Sequence, residues 1–172
     1  MKGAGRWYAG VGSRKAPEQA LRLARRVAAR LAELGWGLRT GGAPGMDRAF
    51  EEGARKAGGR VEVFLPWPGY EGYTAEAYRV AAEHHPAWEK LGRGVRALMA
   101  RNSHQVLGPD LGDPVAFLVC WTPDGAEEKT GPETGGTGQA IRLAVAKGIP
   151  VFNLAREGAL ERLGEFVRRQ GG

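Results

Sequence analysis

The feature that most constrains the fold of this chain is a regular alternation of short apolar segments with longer amphipathic segments. Short runs rich in β-branched and aromatic residues predict strands near residues 6–12, 37–41, 61–65, 115–121 and 149–153. The segments between them have helical periodicity, with apolar residues three and four positions apart. Strands that alternate with helices in this way indicate a parallel sheet covered on both faces. We therefore predict an α/β fold: a Rossmann-like doubly wound three-layer sandwich with a mainly parallel sheet.

The helical segments account for much of the remaining chain. They span residues 17–34, 46–57, 74–85, 86–107, 137–148 and 157–169. The sequence of 172 residues has no internal repeat and no low-complexity linker, and 42% of its residues are hydrophobic. A chain of this length and composition can bury a substantial core. We therefore expect one domain, residues 1–172.

Composition also limits the compartment and the chemistry. No apolar run approaches the ~20 residues that span a bilayer, and the start of the chain lacks the apolar core of a signal peptide. These features predict a cytoplasmic protein without membrane contact. Cys120 is the only cysteine and lies in an apolar run, which predicts a buried thiol rather than a disulfide. Many arginines beside few asparagines and glutamines are also compatible with a thermophilic source.

The net charge of +6 raises the question of a polyanionic partner. Arg22, Arg25, Arg26 and Arg30 are spaced so that most of them lie on one face of a predicted helix. Such a face is either a solvated surface or a nucleic-acid surface, and the first interpretation is favoured.

Three glycine-rich turns follow predicted strands and lead into predicted helices. They are AGVGSRKA (9–16), TGGAPGMD (40–47) and ETGGTGQA (133–140). In a doubly wound fold these turns meet at the carboxyl edge of the sheet, where ligands bind. The first N–H groups of a helix can bind an anion where glycine leaves the backbone open. One such turn is explained by the tight geometry that glycine allows, but three at one edge favour a phosphate-bearing ligand.

None of these turns matches a stricter motif. The Gly-Lys-Ser/Thr ending of a Walker A loop is absent. Gly10 and Gly12 are not followed by the third glycine of a G-x-G-x-x-G fingerprint. Ser13 lies outside a G-x-S-x-G sequence, which argues against a serine hydrolase.

Four segments, taken in order, resemble the DprA/Smf–LOG (SLOG) superfamily of Rossmann-like nucleotide-binding proteins. They are GVGSR, GGAPGMDRAFEEGA, MARN and GGTGQAIRLAVAKGIPVFNL. Within the superfamily, the chain is most similar to short phage- and prophage-type DprA-like proteins. The resemblance implies a nucleotide-binding fold that forms dimers or higher homo-oligomers. DprA proteins bind single-stranded DNA and help load a recombinase, whereas LOG proteins hydrolyse the N-glycosidic bond of nucleoside monophosphates.

The chain departs from the LOG motif G-G-x-G-T-x-x-E at two positions. Aligned on Gly135, Gly136 and Gly138, it has Gln139 in place of the threonine and Arg142 in place of the catalytic glutamate. A guanidinium cannot act as a base near neutral pH or stabilise an oxocarbenium-like centre. A LOG-type hydrolase acting on nucleoside monophosphates is therefore disfavoured.

Two weak catalytic candidates remain for that activity. Arg101, in MARN, corresponds to the LOG partner arginine, and Glu133 precedes the third glycine turn. No cofactor is expected to be required. No metal site is expected either, because the side chains of His84 and His85, adjacent on a helix, diverge.

The predicted ligand-binding residues come from the three turns and from MARN. They are Gly10, Gly12, Ser13, Arg14, Gly41, Gly42, Gly45, Asp47, Arg101, Asn102, Gly135, Gly136, Thr137, Gly138 and Gln139. Backbone N–H groups are expected to hold the phosphate, and Arg14 or Arg101 to neutralise it. Asp47 is either an ordinary carboxylate in the first turn of a helix or the acceptor of a ribose hydroxyl.

Two functional hypotheses follow. The first is a protein that binds a small-molecule nucleotide, as a sensor or weak hydrolase. The second is a single-stranded nucleic-acid binder that acts in DNA processing or recombination. Trp67, Tyr70 and Tyr73 either cover the sheet edge or provide a stacking wall for a base.

Overall fold

The computed structural model describes residues 6–65 and 75–171. Its strands are β1 (Trp7–Gly12), β2 (Gly37–Thr40), β3 (Val61–Val63), β4 (Phe117–Trp121) and β5 (Val151–Asn153). Its helices are α1 (Glu18–Glu33), α2 (Met46–Lys56), α3 (Ala75–Glu83), α4 (Arg93–Leu107), α5 (Thr137–Ala146) and α6 (Ala159–Gly171). Short 3₁₀ helices span Trp88–Lys90 and Pro132–Thr134. Among these residues, no helix is both long enough and apolar enough to cross a membrane.

The five strands form one parallel sheet in the order β3-β2-β1-β4-β5. In register, Tyr8 of β1 lies beside Leu38 of β2 on one side and Phe117 of β4 on the other. The chain builds outward from β1 to β3 and then returns to add β4 and β5 on the opposite side. The order therefore reverses between β1 and β4, which is where ligands bind in folds of this kind. The predicted α/β fold with a parallel sheet is confirmed.

One face of the sheet packs against α1, α2 and α6 around an aromatic core. Phe117 lies at its centre, with ring centroids 5.4 Å from Tyr8, 4.9 Å from Trp36 and 5.4 Å from Phe166. Aromatic pairs at these distances are favourable beyond the area that they bury. This face supplies a rigid support behind β1 and β4.

The other face carries α4 and α5, with Val80 of α3 packed against the same apolar cluster. Helix α4 is buried on almost all sides from Met99 to Leu107, since it lies against α3, α5 and strands β1 and β2. Cys120 is a free, buried thiol on this side of the sheet, as expected from its apolar surroundings. Polar side chains on α4 are therefore held in fixed positions by their surroundings.

One helix is shorter than its periodicity predicts. The pattern over 86–107 indicates continuous helix, but α4 begins only at Arg93, after the 3₁₀ helix Trp88–Lys90. Leu91 and Gly92 have extended backbones. Glycines at positions 92 and 94 lower the helical propensity of this segment, which explains the late start.

Candidate functional site

A cavity of about 650 Å³ opens at the carboxyl ends of β1 and β4, where the strand order reverses. This volume is typical of a pocket for a small ligand. All three glycine-rich turns contribute to its wall, and one face of α4 forms another side. The topology brings the three turns together because each follows a parallel strand or its loop at the same edge of the sheet.

Ten of the residues singled out in the sequence line the cavity. They are Gly12, Ser13, Arg14, Asp47, Arg101, Asn102, Glu133, Gly135, Gly136 and Thr137. Their role in ligand binding stays a prediction. Six others lie outside the cavity wall: Gly10, Gly41, Gly42, Gly45, Gly138 and Gln139.

The glycines outside the cavity are explained by packing. A Cβ atom on Gly10 would lie 2.7 Å from Leu38 and 2.8 Å from Phe50. A Cβ atom on Gly45 would lie 2.6 Å from two carbonyl oxygens of the first turn, and its φ of +85° also disfavours other residues. These two positions need glycine whether or not a ligand binds.

The carboxylate of Asp47 binds backbone N–H groups that the sequence analysis expected to hold a phosphate. Its Oδ1 accepts the N–H of Gly12 at 3.2 Å, and its Oδ2 accepts the N–H of Ala43 at 3.3 Å. Burial raises the pKa of this carboxyl from 3.8 to about 6, against the opposing effect of the Arg101 charge. The carboxylate thus engages N–H groups of the first two turns, which reduces what they offer to a phosphate.

Other N–H groups of the first turn are also used within the protein. Ser13 donates its N–H to the carbonyl of Trp121 at 3.1 Å, and Lys15 donates its N–H to the Ser13 hydroxyl at 3.2 Å. The side chains of Arg14 and Lys15 are exposed and line the cavity. The first turn therefore offers positive charge rather than an open row of N–H groups.

The third turn leads into α5, whose start at Gly136 and Thr137 lines the cavity. Gly138 and Gln139 donate their N–H groups to the carbonyls of Gly135 and Gly136, at 3.0 and 3.2 Å. Helix α5 begins at Thr137 with Gly136 as its N-cap, and no side chain caps it. A Cβ atom on Gly136 would have Met99 as its nearest neighbour, at 3.9 Å. The uncapped N-terminus carries partial positive charge and attracts anions. Of the three turns, this one is the best suited to a phosphate.

One face of α4 connects these turns. Leu98, Arg101, Asn102 and Gln105 follow an i, i+3, i+4, i+7 pattern and all line the cavity. Arg101 donates from Nη1 to the carbonyl of Gly41 at 2.9 Å, and Asn102 donates to the carbonyl of Gly136 at 3.3 Å. The helix therefore fixes the second and third turns relative to each other.

Sequence reasoning missed three polar residues of the cavity: Lys15, Gln105 and Thr134. Lys15 directly follows Arg14 in the first turn. Gln105 lies four residues after Arg101, so the helical spacing of the MARN segment could have identified it.

The position of the LOG catalytic glutamate lies outside the cavity and serves another purpose. Arg142 donates to the carbonyl of His84, to the hydroxyl of Thr130 and to the side-chain oxygen of Gln139, at 2.8, 2.8 and 2.9 Å. Gln139 in turn donates to the carbonyl of Ala81 at 2.8 Å. The two residues that replace the LOG threonine and glutamate thus join α5 to the end of α3.

The two adjacent histidines are each held by a local hydrogen bond. Nδ1 of His84 donates to the carbonyl of Val80 at 2.9 Å, and Nδ1 of His85 accepts the N–H of Ala87 at 3.0 Å. Within 6–65 and 75–171, no cluster of three or more histidine, cysteine, aspartate or glutamate side chains could hold a metal ion. Trp67, Tyr70 and Tyr73 lie outside the described residues.

Comparison with known proteins bears on this architecture. The sequence model of the SLOG cluster4 family matches residues 8–82, which contain the first two turns. The resemblance to the DprA/SLOG superfamily is confirmed. A search of curated proteins gave no match.

Several solved structures have a similar fold. DNA processing protein A from Helicobacter pylori, described for its single-stranded DNA binding mode, is 19% identical with a TM-score of 0.55. The match covers 94% of this chain and 73% of that protein. DNA processing protein A from Streptococcus pneumoniae is 18% identical with a TM-score of 0.50. That match covers 86% of this chain but only 49% of the pneumococcal protein.

A third similar structure is the molybdenum cofactor carrier protein MCP from Chlamydomonas reinhardtii. It is 22% identical with a TM-score of 0.48, and the match covers 85% of this chain and 74% of that protein. At these identities the similarity concerns the fold.

Proposed function

We propose that the protein binds a phosphate-bearing nucleotide, or a derivative of one, in the 650 Å³ cavity. The observation that carries the proposal is the uncapped N-terminus of α5, which opens at Gly136 into a cavity that Arg14 and Lys15 also line. A helix N-terminus with two cations nearby favours a dianionic phosphate. The SLOG match is consistent with a nucleotide ligand.

The rest of the cavity suits the organic part of a nucleotide. Val11, Leu98, Met99 and Ala140 give it apolar walls beside the polar groups of Arg101, Asn102 and Asp47. Ligand pockets commonly combine apolar walls with a few polar groups that fix orientation. The second lone pairs of the Asp47 oxygens leave capacity to accept a ribose hydroxyl.

The proposal is for binding without hydrolysis. The position that corresponds to the LOG catalytic glutamate is occupied by Arg142, which lies outside the cavity and makes three hydrogen bonds there. Glu133 does line the cavity, but it is exposed on the loop before the third turn. Binding of a nucleotide without hydrolysis is the behaviour expected of a nucleotide sensor.

Calorimetry with a panel of nucleoside mono- and diphosphates tests the proposal through Gly136→Val. The φ of Gly136 is −62° and its Cβ position is open, so valine fits the backbone but extends into the phosphate region. We expect affinity for the best nucleotide to fall more than tenfold, or about 1.4 kcal/mol.

Gly131→Val is the matched control. Gly131 has an extended backbone and open space at its Cβ position, and it lies outside the cavity. The Gly131→Val variant should bind the nucleotide with the affinity of the parent. Both variants should keep the parent's circular dichroism spectrum. A folded Gly136→Val protein with parental affinity would contradict the proposed site.

A second candidate function, binding of single-stranded nucleic acid, has its own observation. A surface depression of about 630 Å³ is lined by the aromatic side chains of Tyr78 and Trp88 together with Arg79, Arg93 and Arg96. The guanidinium of Arg96 lies 5.0 Å from the Trp88 ring centroid. Aromatic rings beside cations are typical of single-strand binding surfaces, and the H. pylori relative is described as a single-stranded DNA binder.

The arginine face of α1 supports this second function less well. Arg22, Arg25 and Arg30 form ion pairs with nearby glutamates. Titrations of an oligonucleotide at several salt concentrations discriminate the two functions. Contacts along a strand give an affinity that falls steeply with salt, and Trp88→Ala should lower that affinity through lost base stacking. A mononucleotide in the cavity gives a shallow salt dependence and an affinity that Trp88→Ala leaves unchanged.

A further inference from the structure

The side-chain amide of Gln105 is buried beside the cavity without a protein partner. Gln105 is 1% exposed and belongs to the cavity wall. Neither its Oε1 nor its Nε2 has a hydrogen-bond partner among the described residues. A buried amide without partners is costly, whereas an apolar side chain of the same length would incur no such cost.

The other buried glutamine of this region, Gln139, has hydrogen-bond partners for its amide. Gln139 is also 1% exposed, but its Nε2 donates to Ala81 and its Oε1 accepts from Arg142. The fold therefore satisfies the glutamine outside the cavity and leaves the glutamine on the cavity wall unsatisfied.

The Gln105 amide packs closely against the backbone of the second glycine turn. A Cβ atom on Gly41 would lie 2.3 Å from Nε2 of Gln105 and 2.3 Å from Nη1 of Arg101. The glycine at position 41 is therefore needed for the close approach of these two side chains. The absence of a side chain at Gly41 therefore leaves room for the Gln105 amide, which forms no hydrogen bond within the described part of the protein.

The position of Gln105 in the cavity indicates which part of the proposed ligand it contacts. The phosphate belongs at the third turn, by Gly136, whereas Gln105 faces the second turn, by Gly41. An amide presents a hydrogen-bond acceptor and a donor side by side. The edge of a nucleobase presents a complementary acceptor and donor side by side, as in the paired bonds that glutamine makes to adenine.

We infer that Gln105 is a specificity-determining residue that recognises the edge of the nucleobase through paired hydrogen bonds. The inference rests on the proposed nucleotide function. Gln105 supplies the preference for a base-bearing ligand over the same sugar phosphate without a base, because its amide is satisfied only when the base is present.

Gln105→Met tests the inference, since methionine keeps the length and removes both polar atoms. Calorimetry compares the best nucleoside monophosphate with ribose 5-phosphate, which lacks the base. The parent should prefer the nucleotide. In Gln105→Met the affinity for the nucleotide should fall more than tenfold, while the affinity for ribose 5-phosphate stays within about twofold. The melting temperature of the free variant should be equal to or higher than that of the parent.

Gln139→Met is the matched control. It removes a satisfied amide outside the cavity, so its melting temperature should fall while its preference for the nucleotide over ribose 5-phosphate is kept. Gln105→Glu, which exchanges the NH₂ donor for an acceptor, should change the order of preference among the bases.

Two failures are distinguishable. If the parent binds nucleotides and Gln105→Met keeps the full preference for them, the inference is wrong and the proposed function stands. A lower melting temperature in the same experiment would mean that the amide holds a structural water. If the parent binds neither nucleotides nor ribose 5-phosphate, both the proposed function and the inference are wrong.

Discussion

The carboxylate of Asp47 accepts the backbone N–H of Gly12 at 3.2 Å, across 35 residues of sequence. Its second oxygen accepts the N–H of Ala43 at 3.3 Å, so one buried side chain joins the first two glycine-rich turns. Backbone N–H groups that point into a concave turn form a site for an anion. Here the protein supplies an anion of its own, and this leaves the third turn for the phosphate of the proposed ligand.

The buried position of Asp47 predicts a specific dependence of stability on pH. Its pKa of about 6 in the folded protein exceeds the ordinary value of 3.8, so the folded state holds the proton more tightly than the unfolded state. The contribution of this group to the free energy of unfolding therefore falls as pH rises from about 4 to about 6 and is constant above that. Since one pKa unit corresponds to about 1.4 kcal/mol, the fall is at most about 3 kcal/mol.

Asp47→Asn removes the titrating group and isolates this effect. Urea unfolding of the parent and the variant is measured at several pH values between 4 and 7. The difference in free energy of unfolding, parent minus variant, should decrease as pH rises. A difference that is the same at every pH would show that Asp47 does not titrate in this range.

Substitution of Gly41 is expected to be destabilising because of the close approach of two side chains. In Gly41→Ala the new methyl group would lie 2.3 Å from Arg101 and from Gln105, so these side chains must move. Both contacts are with the far ends of flexible side chains, so we expect the free energy of unfolding to fall by about 0.5–1.5 kcal/mol, the cost of moving a side chain away from its preferred rotamer. Gly94→Ala is the control, since its Cβ position in α4 is open, and it should leave stability equal or slightly higher. Equal stability of both variants would contradict the packing at Gly41.

Arg142→Glu restores the LOG residue but is not expected to restore LOG chemistry. The position lies outside the cavity, and the substitution removes hydrogen bonds to His84, Thr130 and Gln139. The free energy of unfolding should fall by about 2 kcal/mol or more. Chromatography of adenosine and cytidine monophosphates incubated with either protein should detect no release of free base. Turnover by the parent that Glu133→Ala abolishes would contradict this prediction and assign catalysis to the loop.

The sequence predicts the sheet well because that prediction uses local information. Alternating apolar strands and periodic helices specify a parallel sheet, and the edge at which the three turns meet follows from the topology. The sequence does not predict which turn keeps its N–H groups available, because the contact of Asp47 with Gly12 depends on the folded arrangement. The unsatisfied state of Gln105 is likewise a property of tertiary packing. The charge of Arg142 argues against the LOG mechanism, but the sequence does not indicate its hydrogen bonds to His84, Thr130 and Gln139.

The two cations of the first turn give the last prediction, which complements the test of Gln105. Arg14 and Lys15 are exposed and line the same cavity as the third turn, so we expect their charges to act on the phosphate of the proposed ligand and not on its base.

The double variant Arg14→Gln/Lys15→Gln should therefore bind the nucleotide and ribose 5-phosphate more weakly by the same factor, about tenfold each. The remaining affinity should also depend less on salt, since fewer cations contribute. Arg22→Gln/Lys56→Gln is the control, because it removes the same net charge from exposed positions outside the cavity. Calorimetry at low and moderate salt measures the affinities of the parent and of both double variants for the two ligands. If the two double variants lose affinity equally, the effect comes from the overall charge of the protein. If only nucleotide affinity falls in Arg14→Gln/Lys15→Gln, these cations contact the base end, and the orientation of the ligand proposed for this cavity is reversed.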